Sequence, residues 1–162
     1  MNSPPDLFKQ KNSYNKQLNH AESSSENTTF PISILANDIE IAGNVGSLFR
    51  VADALGVKKL YLTGSTKTPP KYKIRKAARS TEKHIPYSYH ESPAELLITL
   101  KQEGYIIIAL EITPRSQNIR EFKISKNEKI CLLIGSENHG ISNDLLAPVS
   151  YTHLTLPTIY SV

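Results

Sequence analysis

The sequence predicts an open α/β domain, a parallel-type sheet of about five strands flanked by helices. Three observations predict it. From Pro31 onward, short apolar runs alternate with amphipathic segments, the pattern of successive βα units. Residues 105–110 and 130–134 are apolar throughout, as strands covered on both faces are. Ser92-Pro93-Ala94-Glu95 joins an N-cap serine, a proline at the first helical position and a capping-box glutamate, which marks a helix start without ambiguity.

Taken in order, residues 1–29 are polar, include Ser23-Ser24-Ser25, and read as a loosely docked or disordered arm. Residues 32–35 read as a buried strand. A helix follows over 44–55, with Asn44 as its expected N-cap and Gly56 as its stop; Val45, Leu48, Phe49 and Ala52 recur at helical spacing and would face the sheet. Residues 59–63 form the second expected strand, 67–70 a proline-containing loop, 74–82 a short basic helix and 85–89 a third strand. Tyr87 and Tyr89 alternate on that strand and read as core or edge packing rather than base-stacking platforms. The helix begun at Ser92 presents Leu96, Leu97 and Leu100 on one face and ends at Gly104. The two wholly apolar runs complete the sheet.

At 162 residues the chain fits one domain of ordinary size. Its longest apolar run falls far short of the roughly 20 residues a membrane helix needs, and its first residues lack a secretory pattern. The single cysteine, Cys131, excludes an internal disulfide framework and a Cys-based zinc site. It lies between Ile130 and Leu132 and reads as an inert core thiol in a cytoplasmic protein. No histidine spacing suggests a metal site. The net charge of +4, from 19 Lys and Arg against 15 Asp and Glu, is unevenly spread. Between positions 66 and 83, Lys67, Lys71, Lys73, Arg75, Lys76, Arg79 and Lys83 face one acid, Glu82. Positive charge at that density suits a polyanion such as nucleic acid, although a solvated surface would read the same way.

Two segments carry more than fold. Asn44-Val45-Gly46-Ser47-Leu48-Phe49-Arg50 opens a helix, and Asn44, Ser47 and Arg50, three residues apart, share one flank of it. Gly46 permits close approach by a ligand or by another backbone. On its own the segment reads more readily as a capped helix with an incidental surface arginine. Leu133-Ile134-Gly135-Ser136-Glu137-Asn138-His139-Gly140 leaves the last strand as a glycine-bounded turn at the carboxyl edge of the sheet, where α/β folds bind ligands. A dinucleotide fingerprint and a phosphate-loop lysine are both missing from it.

In this order, with Leu60-Tyr61-Leu62-Thr63-Gly64 and Thr68-Pro69-Pro70 between them, the two segments resemble motifs 1 and 2 of the SpoU/TrmH branch of the SPOUT RNA methyltransferases. The resemblance spans about residues 31–146. It implies an α/β knot, a homodimer, and S-adenosyl-L-methionine as donor for methylation of a ribose 2′-hydroxyl in tRNA or rRNA, with no metal required. Residue by residue, it implies Arg50 and Asn44 as catalytic residues. Gly135, Glu137 and Gly140 would form the cofactor loop, and Ala109 and Leu110 would border it. Lys71, Lys73, Arg75, Lys76 and Arg79 become candidates for the RNA backbone. A guanidinium stays cationic throughout the physiological range, so Arg50 reads as a fixed charge that grips the target phosphate and polarises the hydroxyl rather than as a general base.

The resemblance also implies a third motif, which the sequence does not show after Val149. Residues 150–162 contain no Asp, Glu, Lys or Arg and read as a foreign, non-native tail on an incomplete domain, a fragment expected to be inactive and to bind the cofactor weakly. A second reading is a non-catalytic RNA-binding module of the same fold, which would bind RNA with steep salt dependence and transfer no methyl.

Overall fold

The computed structural model of the chain describes residues 29–114, 116–118, 121–125 and 127–149, and the backbone of Leu154–Thr155. The polar arm lies outside the described residues, as does the expected foreign tail apart from that short strand.

Five strands form one parallel sheet in the order β3-β2-β1-β6-β4. They are β1 (Phe30–Asn37), β2 (Val57–Thr63), β3 (Tyr87–His90), β4 (Tyr105–Ala109) and β6 (Lys129–Ile134). The two-residue strands β5 (Gln117–Asn118) and β7 (Leu154–Thr155) pair apart from it. The expected parallel sheet of five strands is therefore observed, each strand within a few residues of its expected bounds.

The sheet is covered on both faces, which is why its central strands are apolar without alternation. On one face α1 (Ala42–Ala54) and α2 (Tyr72–Ala78) bury Val45, Phe49, Ala52, Ile74 and Ala78 against Ile34, Ala36, Leu60 and Leu62. On the other face α3 (Pro93–Gln102) and the one-turn α4 (Asn143–Leu146) set Leu96, Leu97, Leu100 and Leu145 against Leu35, Ile107, Cys131 and Leu133. Cys131 is wholly buried in that layer, and burial pushes its thiol up to about 12, as an inert core residue requires.

Helix α3 follows its sequence signature: Ser92 is the N-cap, its hydroxyl accepts the Glu95 N–H at 3.3 Å, and Pro93 is the first helical residue. Gly56 and Gly104 take positive φ of 63° and 84°, the left-handed conformation that ends a helix at little cost to glycine. Two expectations are corrected. Helix α1 starts two residues before Asn44 and its N-cap is Ile41, so Asn44 lies inside the first turn. The basic helix ends at Ala78 because Arg79 and Ser80 take φ of 51° and 76°, and a separate 3₁₀ turn, Thr81–Lys83, follows.

From β1 the chain runs outward through β2 to β3, then returns to build β4 and β6 on the opposite side of β1. The strand order thus reverses between β1 and β6. In parallel α/β sheets the crevice beyond the carboxyl ends at such a reversal is where ligands bind. The segment after β1 that enters α1, and the turn after β6, both lie there.

Candidate active site

The first turn of α1 has unsatisfied backbone N–H groups, and its N-cap residue, Ile41, supplies no side chain to them. A carboxylate from elsewhere in the fold meets this end of the helix through the Asn44 side chain and the backbone at Glu40 and Ile41. Glu137, in the turn after β6, accepts a hydrogen bond at 2.7 Å from the side-chain amide of Asn44. Slight desolvation pushes the Glu137 carboxyl up. Hydrogen bonds from its own backbone N–H, from Asn44 and from the backbone at Glu40 and Ile41 outweigh that and hold it below the usual carboxylate range. An anion against the positive end of a helix is favourable in its own right. Asn44 therefore spends its side chain on the turn across the crevice, which is why it does not cap its own helix.

The turn itself is closed tightly. The Ser136 N–H donates to the Gly140 carbonyl at 3.1 Å, and the Gly140 N–H donates back to the Ser136 carbonyl at 2.9 Å. A Cβ on Gly135 would meet the Gly140 carbonyl, so both ends of the turn need glycine for the chain to double back this closely. Gly140 has a φ of 64°, and a Cβ there would meet the Glu111 carboxylate. Glu111, just beyond β4, accepts the Ile141 N–H at 2.9 Å through its other role as a clasp on the turn, and accepts the Ile112 N–H at 3.0 Å. Sequence reasoning missed Glu111. The signal was available: a carboxylate two residues past a buried apolar strand, at the sheet edge where the crevice opens.

Of the two residues expected to border the cofactor, Ala109 is wholly buried and packs in the core, whereas Leu110 is partly exposed and its N–H continues the sheet by donating to the Leu133 carbonyl at 2.9 Å. His139 is exposed on the turn.

Arg50 lies on the same helix as Asn44, six residues and about 9 Å of helix rise farther on. The turn's hydrogen bond to α1 is made by Asn44. Arg50 is exposed on a cleft of about 490 Å³ that also reaches Ile41 and Gly43 at the helix start and is lined by Lys73, Lys76 and Arg79. Gly46 makes this arrangement possible. A Cβ at that position would stand 2.5 Å from the Ile74 carbonyl and 2.6 Å from the Ala77 Cβ, so only glycine lets α2 lie this close on α1. Of the two uses left open for Gly46, the close approach is to another backbone. Lys71, Lys73, Arg75, Lys76 and Arg79 are all exposed, while Ile74 and Ala78 anchor the helix inward.

The third strand carries the two tyrosines on the α1 and α2 face. Tyr87 packs edge-on against Phe49 with ring centroids 5.5 Å apart, and the Tyr89 hydroxyl donates to the Gly64 carbonyl at 2.8 Å. They do pack at the sheet edge as expected, yet both keep much of their surface exposed. Among the described residues no group of three His, Cys, Asp or Glu side chains is placed to hold a metal, and no helix is long and apolar enough to cross a membrane.

Residues 31–162 match the model of the SpoU rRNA Methylase family. The chain is similar to the tRNA (guanosine(18)-2'-O)-methyltransferase of Aquifex aeolicus, 26% identical over 114 residues, which covers 70% of this chain and 52% of that one. The enzyme of the same description from Escherichia coli K12 is 27% identical over 107 residues, 64% of this chain and 44% of the relative. The chain thus spans about half the length of these relatives. In solved structures, the SpoU methyltransferase AviRb of Streptomyces viridochromogenes in complex with AdoMet superimposes with a TM-score of 0.71 at 23% identity, over 80% of this chain and 52% of that one, which shows a shared fold.

Proposed function

The chain belongs to the SpoU rRNA methylase family, and on that footing we propose that it serves transfer of a methyl group from S-adenosyl-L-methionine to a ribose 2′-hydroxyl of tRNA or rRNA. One observation carries this reading: the 2.7 Å hydrogen bond from Asn44 to Glu137, which joins the helix bearing Arg50 to the glycine-bounded turn at the strand-order reversal. The relatives named as tRNA 2'-O-methyltransferases and the AdoMet-bound neighbour support the same chemistry.

The residues at the crevice suit such a cofactor. Gly135 and Gly140 let the turn close on itself and on Glu111, and the turn holds the exposed Glu137 carboxylate at the crevice. Glu137 is held in its charged form, favourable beside a cationic sulfonium. Leu110, Gly135, Glu137 and Gly140 would hold the group, while Ala109 is buried in the core. When bound, it supplies a methyl already activated by the positive sulfur. The protein's remaining task is to orient a poor nucleophile and stabilise alkoxide character as it develops. Arg50 meets that need as a fixed cation: its planar fork grips a phosphate of the target, polarises the ribose hydroxyl, and leaves the phosphate oxygen to take the hydroxyl proton. Lys73, Lys76 and Arg79 extend the positive surface from Arg50 along the RNA backbone, and Lys71 and Arg75 widen it.

We assign the active assembly as a homodimer. Val51 near the end of α1 and Leu55, its C-cap residue, are exposed and would suit a second copy. A tRNA or rRNA substrate fits the expected cytoplasmic location.

The test is methyl transfer from labelled S-adenosyl-L-methionine to tRNA and rRNA transcripts, with nuclease digestion and mass spectrometry of the product. A 2′-O-methylnucleoside is the expected product. A base-methylated product, or salt-sensitive RNA binding with no transfer by the full-length protein, would overturn the reading; the second result identifies a non-catalytic RNA-binding module.

A further inference from the structure

A second cleft, distinct from the one at Arg50, opens on the same face of the sheet. It has a volume of about 530 Å³ and lies between the loop after β2 and the edge strand β3. Its lining includes Lys67, Pro69, Lys71, Tyr87 and Tyr89. That size suits one small ligand or one nucleotide.

The two tyrosines are its distinctive feature. They stand at alternate positions of β3, so both project from the same face, about 6.6 Å apart along the strand. That interval is close to twice the roughly 3.4 Å rise between stacked nucleotides. Tyr87 is 39% exposed and Tyr89 49% exposed. Both rings are nevertheless fixed, Tyr87 by its edge-on contact with Phe49 and Tyr89 by its hydroxyl on the Gly64 carbonyl. Rings held in place while their surface stays open lose little freedom on binding, which favours a stacked ligand.

Charge supplies the second argument. Lys71 is the N-cap of α2 and lines this cleft, while Lys73 and Lys76, within the helix, line the cleft of Arg50. Helix α2 therefore carries an unbroken run of cations from one cleft to the other. A polyanion gripped at Arg50 and laid over α2 arrives at the tyrosines. Cations tracking a backbone, with aromatic rings at one end, are the means by which proteins hold single-stranded nucleic acid.

We propose that the Tyr87–Tyr89 cleft is an accessory site that stacks one unpaired base of the RNA substrate, with Lys67 and Lys71 on its flanking phosphates. The site rests on the RNA reading above and adds to it a requirement for single-stranded RNA beside the methylated nucleotide. A duplex keeps its bases stacked within itself and has none to place there.

The experiment uses the whole chain and a short single-stranded oligouridylate carrying one 2-aminopurine, with a duplex RNA of equal length as comparison. Tyr89→Phe keeps the ring and Tyr89→Ala removes it, while Thr99→Ala on the far face serves as a control for handling. We expect quenching of the 2-aminopurine by the native chain and by Tyr89→Phe. We expect Tyr89→Ala to bind the single strand about five- to a hundredfold more weakly, the range for loss of one base–aromatic stack, with duplex binding unchanged. Equal affinities for Tyr89→Ala and the native chain, or equal losses on single-stranded and duplex RNA, would overturn the site and leave the methyl-transfer reading standing. Failure of the native chain to bind either RNA would overturn the site, while the methyl-transfer reading is decided separately by the product of the methylation assay.

Discussion

Asn44 and Glu137 are 93 residues apart in the chain and 2.7 Å apart in the fold, and their hydrogen bond bridges the point where strand order reverses. Neither residue lies in the core. Their meeting is a product of the sheet: β1 and β6 are hydrogen-bonded neighbours, so whatever follows each at its carboxyl end must face the other. The bond turns two separate sequence motifs into one crevice.

The carboxylate of Glu137 makes stability depend on acid. Its folded-state value lies below the ordinary 4.5, so its contribution is fully present above that value and is lost as pH falls through the lower one. Glu137→Gln should abolish this component. Urea midpoints measured between about pH 3 and 6 should fall less steeply with acidification in the variant than in the native chain. Identical slopes would show that the hydrogen bonds to Glu137 do not persist in solution.

Gly46→Ala places a methyl against the Ile74 carbonyl and Ala77, both of them main-chain or short rigid groups with nowhere to move. We expect about 1–3 kcal/mol of destabilisation, the usual cost of overpacking, measured by denaturant unfolding. Gly43→Ala, three residues earlier on the same helix and in open space, should cost nothing comparable.

Glu111→Ala orphans the N–H of Ile141. Leaving a partly buried donor unpaired costs about 1–3 kcal/mol, and amide exchange at Ile141 should quicken more than the global loss explains. Because the clasp acts on the turn and not on α1, S-adenosylhomocysteine binding by the full-length protein should weaken while its affinity for RNA is kept.

Arg50→Lys retains the charge and discards the planar fork. In the full-length enzyme, turnover should fall by about 10- to 100-fold, with S-adenosylhomocysteine affinity unchanged as read by calorimetry. A lysine variant with near-native turnover would show that a point charge suffices and that the fork has no part.

Much of the fold could be read from the chain because its signals are local. Helix α3 is specified by Ser92, Pro93 and Glu95 within four residues, and β4 and β6 by runs of apolar side chains that no other environment accepts. The misreadings have the opposite character. The start of α1 has no local announcement: its N-cap, Ile41, brings no capping side chain, and Asn44, the residue type a cap would use, lies inside the first turn and bonds across the crevice to Glu137. The basic helix stops short of the expected 74–82 because two non-glycine residues, Arg79 and Ser80, take left-handed φ, which residue type does not announce. Glu111 was passed over since its partner, Ile141, is 30 positions away. The placement of Asn44, Glu137 and the cations of α2 around one sheet edge follows the motifs; the openness of Tyr87 and Tyr89 does not, because alternation on a strand gives a face and not its cover.

The close seating of α2 on α1 divides labour along a single short helix. Ile74 and Ala78 are committed to the anchor and leave little room for drift, but the outward positions at 71, 73, 75 and 76 bear no load in the core. The outward cations can therefore be replaced one by one without disturbing the seat of α2 on α1.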